Sequence, residues 1–84
     1  MRVISESVRI QLDALRQEMG VTYALLIEHR DTQKVLVAEW KAASLEAKMD
    51  AYFLLASNRR AWVAEIEKLS WLRRQYSQLV RGDA

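Results

Sequence analysis

His29, the one histidine of this 84-residue chain, follows Glu28 and has Asp31 two positions on. Histidine beside carboxylates is the composition that acid–base catalysis or a metal site calls for. The spacing speaks against both: adjacent residues on a helix do not face each other, and no Glu-x-x-His pair of the di-metal bundle type occurs. His29 reads instead as a helix-end histidine near solvent. Glu39, Glu46 and Asp50 share one helical face, as carboxylate catalysis or hard-cation binding would require. No second acidic stripe faces them and lysines lie across the helix, so they read as a solvated, salt-bridging seam. One glycine in the first eighty residues leaves no phosphate-cradling loop, and the absence of cysteine removes thiolate metal sites and disulfides. No cofactor and no enzymatic activity is expected.

Lys34, Lys41 and Lys48 repeat at a strict seven, a line about 21 Å long on a helix, and Arg59–Arg60 and Arg73–Arg74 are paired. Such stripes suit nucleic-acid phosphates. However, thirteen basic and eleven acidic side chains leave a net charge of only +2, each stripe has acidic neighbours, and no helix-turn-helix or RNA-binding signature is present. Heptad-spaced charges also flank coiled-coil seams, where they select partner and register. That reading is preferred, with a small dimeric regulator binding RNA or DNA through Lys34, Lys41, Lys48, Arg59 and Arg60 as the alternative.

The elements that carry these residues are helical. Proline is absent, glycine occurs only at positions 20 and 82, and good helix formers dominate. Ser5 or Ser7 can cap a first helix with the stripe Ile4, Val8, Leu12, Leu15 and Met19. Val3 and Ile10 lie off that stripe. Past Gly20 the same count takes in Thr22, Tyr23 and Leu26 and fails at His29, Arg30 and Gln33. Gly20 either lies inside this helix or ends it at Met19, with Thr22 capping a new one. Asp31 or Thr32 suits the next N-cap, and Ser57–Asn58 the one after. The last helix carries Trp62, Ile66, Leu69, Leu72, Tyr76, Leu79 and Val80 and ends at Gly82. Helices near 5–29, 32–56 and 59–81 follow, within one domain spanning 1–84. The fold class is all-α: a three-helix antiparallel bundle, or a long helical hairpin whose third segment folds back on the first two, completed by oligomerisation.

The middle segment gives the reason for expecting partners. Counted as one helix, Val35–Ala56 has two apolar faces. Val35, Ala38, Ala42, Leu45, Met49, Phe53 and Ala56 lie on one, with Tyr52 at its margin. Leu36, Val37, Trp40, Ala43, Ala47, Ala51, Leu54 and Leu55 lie on the other. A helix apolar on most of its circumference belongs inside something, and a 51% hydrophobic fraction is more than one thin core of this size hides. Trp71 sits opposite the stripe of its own helix, ringed by polar residues and within reach of Arg74, as interface hot spots do. The expected function is therefore a small protein–protein interaction module, a homo-oligomeric assembly, adaptor or inhibitor protein, with Leu36, Trp40, Ala43, Ala47, Leu54, Trp71 and Arg74 as contact residues. Its partners would be copies of itself or a larger protein. No run approaches a membrane span, so a soluble, cytoplasmic protein is expected.

Overall fold

A computed structural model describes residues 5–82; Val3 and Ile4 of the expected first stripe and its surroundings lie outside them. Two α-helices of 37 residues each, α1 (Glu6–Ala42) and α2 (Leu45–Arg81), form an extended antiparallel hairpin with no strand among the described residues. The molecule is a rod of 64 × 17 × 16 Å. Its radius of gyration is 18.8 Å, where a compact domain of this length has about 12 Å.

Each helix start has the same chemistry. Ser5 Oγ accepts from the Val8 amide at 3.2 Å with Glu6 in the first turn, and Ser44 Oγ accepts from the Ala47 amide at 3.3 Å with Glu46 in the first turn. These hydroxyls satisfy amides that have no intrahelical partner, and the acids complement the helix dipole. Between the helices Ala43 and Ser44 adopt extended backbone (φ −68°, ψ 144° and φ −64°, ψ 164°), and the Ala43 amide closes on the Trp40 carbonyl at 3.3 Å. α2 ends as expected at Gly82, whose φ of 77° is the left-handed cap that glycine adopts without a Cβ penalty.

The two-helix architecture corrects the three-helix boundaries. The segments expected near 5–29 and 32–56 are not separated at residue 31, where α1 runs unbroken, and Ser57–Asn58 lies inside α2. The chain reverses at Ala43–Ser44, within the segment taken as one helix with two apolar faces. Those faces belong to two different helices, and counting 100° per residue through an extended link relates residues that share no axis. The hairpin alternative holds in kind, with its bend moved from residue 57 to residue 43. Gly20 lies within α1, and a Cβ built there meets nothing within 4 Å.

The seam follows a strict alternation of threes and fours. On α1 the less exposed positions step from Val8 through Leu12, Leu15, Met19, Thr22, Leu26, His29, Gln33 and Leu36 to Trp40 and Ala43. On α2 they step from Lys48 through Ala51, Leu55, Asn58, Trp62, Glu65, Leu69, Leu72 and Tyr76 to Leu79. This is the a/d repeat of a coiled coil. It is interrupted by polar residues in the middle, so the first stripe does not fail at His29 and Gln33 but carries them inward. Asn58 answers both: its Nδ2 donates to Gln33 Oε1 at 2.8 Å and to the His29 carbonyl at 3.1 Å, and its Oδ1 lies 3.1 Å from His29 Nδ1. One heptad nearer the chain ends, Thr22 Oγ1 and Glu65 Oε2 are both buried without a hydrogen-bond partner. Glu65 takes the seam position and Ile66, expected there, is 46% exposed.

Candidate assembly surfaces

With seam positions labelled a and d, residues at e and b of both helices fall on one broad side of an antiparallel pair, and residues at g and c on the other. The contacts agree. Glu18 and Lys68, both g, line one shallow groove with Gln17 and Val21. On the opposite side Arg16, an e residue, reaches across to α2 and donates from Nε (2.9 Å) and Nη2 (2.6 Å) to Tyr76 Oη, its guanidinium 5.4 Å from the ring centre.

The two sides differ in charge. On the e/b side α1 places Arg9, Arg16, Arg30, Lys34 and Lys41 and α2 places Arg59 and Arg73, against Glu6 and Asp13: seven cations, two anions, net +5. On the g/c side Glu18, Glu28, Glu39 and Asp50 face one cation, Lys68, for a net −3. The seam and the outer edges each sum to zero among the described residues. The overall +2 thus conceals a cationic and an anionic side on one rod.

Both sides are also apolar in part. Among the described residues Leu12 and Leu72 are the buried apolar side chains, whereas fourteen large ones are exposed. On the cationic side Tyr23, Ile27, Val63 and Ile66 form a patch, and Met49 and Tyr52 continue it towards the turn beside Leu45, which is 92% exposed. A groove there is floored by Leu55 and Ala56 and walled by Tyr52, Arg59, Arg60 and Val63. The anionic side carries smaller residues, with Ala42, Ala47, Ala61 and Ala64 among Val21, Val35, Leu54 and Trp71.

The expected contact residues divide accordingly. Leu36, Trp40 and Ala43 are in the seam and half-buried by the chain's own α2, which corrects their assignment to an outward face. Ala47, Leu54 and Trp71 are exposed together on the anionic side, Trp71 at 52%. Arg74 is exposed on the outer edge of α2, lining a groove with Arg73, Ser77 and Arg81. Among the described residues the cation–ring contacts are Arg16 on Tyr76 and Lys48 on Trp40, so Arg74 does not stack on Trp71.

The straight lysine line does not exist. The turn separates Lys34 and Lys41 from Lys48, whose ammonium rests in the seam 5.2 Å from the Trp40 ring centre. Arg59 joins Lys34 and Lys41 on the cationic side while Arg60 points from the outer edge. The same turn leaves Glu46 on the outer edge of α2, away from Glu39 and Asp50, which lie level on the anionic side from different helices, and no group of three His, Cys, Asp or Glu side chains among the described residues could hold a metal ion. No helix there is long and apolar enough to cross a membrane.

The charge division is hidden when helix faces are counted straight through Ala43–Ser44. The signal that reveals it is the unbroken three–four spacing on either side of that link. No protein-family model, curated protein or solved structure matches this chain, so the chemistry of the two sides alone carries the functional reading.

Proposed function

We propose that the hairpin is a protein–protein assembly module whose broad sides are covered by other protein, chiefly further copies of the same chain. One observation carries this reading. The chain exposes 6655 Å², where a compact monomer of this mass exposes about 5,200 Å². The excess is comparable with the 1,200–2,000 Å² buried in a stable protein–protein interface, and fourteen large apolar side chains are exposed, most of them on the two broad sides. Exposed apolar patches of that extent, rimmed by charge, mark association sites. Covering them supplies the driving force, and the charged residues select the partner.

A second reading rests on the seven cations of the e/b side, which match the electrostatic footprint of a phosphate backbone. Isoleucine, valine and methionine between those cations, which make no phosphate contact, favour protein over nucleic acid as the occupant.

Sedimentation velocity over a hundredfold range of concentration tests the choice. Assembly predicts a mass that rises above the monomer without any added partner, and a Leu54→Glu/Trp71→Glu variant that stays smaller at equal concentration. A protein that remains monomeric throughout, yet retains single-stranded or duplex nucleic acid with steep salt dependence, would replace the first reading with the second.

A further inference from the structure

We infer that copies stack side on side in parallel register, the cationic side of one against the anionic side of the next, so that assembly is open-ended and does not close as a two-fold dimer. The inference rests on the assembly reading and adds the geometry of contact.

A two-fold interface presents the same patch twice. Here that would set a side of net +5 against itself, or one of net −3 against itself, and like charges brought face to face are penalised. Cationic against anionic is the pairing that removes the conflict. The next copy then uses its own free side in the same way, as heterologous contacts do.

The register follows from where the charges fall along the rod. His29 is level with Asn58, which fixes every α1 position against α2. On the cationic side charges fall at Arg9, at Arg16 with Arg73 beside Asp13, at Arg30 with Arg59 and Lys34, and at Lys41. On the anionic side they lie at Glu28 and at Glu39 with Asp50, while Glu18 is level with Lys68 and cancels against it. Each anionic level is within two residues of a cationic one when the rods run the same way, about 3 Å along a helix.

Apolar levels coincide in that arrangement too. Tyr23 and Ile66 come opposite Val21 and Ala64, and Tyr52 comes opposite Leu54 with Met49 beside Ala47 and Asp50, so larger apolar side chains meet smaller ones. Turning the neighbour end for end would set Met49 and Tyr52 against the polar end around Gln11, Gln75 and Gln78. The area is sufficient as well: one side of a rod 64 Å long and 16–17 Å across offers ~1,000 Å², against about 800 Å² per partner in a standard interface.

Two charge-reversed variants decide the matter, Arg30→Glu/Arg59→Glu on the cationic side and Glu28→Lys/Glu39→Lys on the anionic side. All four residues are exposed, and circular dichroism checks that each variant keeps wild-type helicity. In sedimentation velocity at low salt the wild type should grow past the dimer as concentration rises. Each variant alone should associate at least tenfold more weakly, and an equimolar mixture should regain assembly, since each partner retains one competent side and the two reversed sides are again opposite in sign where they meet. A wild type that stops at two, or one variant assembling like wild type while the other does not, overturns the stacking and leaves the assembly reading standing. A wild type that is monomeric at every concentration overturns both.

Discussion

Asn58 decides how the two helices slide against each other. Its amide donates twice and accepts once across the seam, and an apolar residue would satisfy none of those partners. A buried polar group that must find its match penalises every register but one. Asn58→Ala should therefore cost about 1–3 kcal/mol, the penalty of unpaired groups left in a partly buried layer, read as a lower urea midpoint with an unchanged slope. The next layer behaves in the opposite sense. Thr22 and Glu65 bring two polar atoms into the seam without satisfying them, so replacing both by apolar residues of similar shape, Thr22→Val with Glu65→Leu, should raise the midpoint of thermal unfolding.

Within α1, Gly20 pays a conformational penalty and supports no close approach. Since a Cβ there meets open space, Gly20→Ala should stabilise the hairpin by about 0.5–1 kcal/mol, seen as a melting temperature a few degrees higher at a concentration where the protein is monomeric. Much of each helix was legible in the sequence. The stripe from Val8 to Leu26 is the observed seam except for Tyr23, which is exposed, and Trp62, Leu69, Leu72, Tyr76 and Leu79 are correctly placed on α2 while Val80 is exposed. The turn was not legible, because Ser44 offers the only capping signal there and apolar residues continue on both sides of it. Asp31, Ser57 and Asn58 are stronger breaks by composition. They are overridden by the tertiary gain of continuing the seam: a break at 31 or 57 would forfeit the pairing of His29 and Gln33 with Asn58. Ile66 was misplaced for a related reason, since hydrophobicity favours it over Glu65 while the three–four spacing favours Glu65. Of the contact residues, Ala47, Leu54 and Trp71 were found as exposed and the charge separation was not.

Taken as one body, the hairpin is stabilised unevenly along its length. Leu12, Leu72 and the Arg16–Tyr76 contact lie towards the chain ends, whereas the turn end carries exposed Leu45, Met49, Tyr52, Phe53 and Leu54. Leu72→Ala should cost about 2–5 kcal/mol, a large share of the ~4–13 kcal/mol that a domain of this size possesses. Leu45→Ala should leave the monomer within about 0.5 kcal/mol of wild type. Chemical denaturation of the two variants in parallel checks the contrast. The same asymmetry has a mechanical meaning. Tension applied through residues 5 and 82 loads the Leu12 and Leu72 layers first and then meets the Asn58 clasp on His29 and Gln33. Beyond that clasp the exposed turn end offers little to arrest the separation, so an optical trap should record opening that halts at Asn58 before running back to Ala43–Ser44.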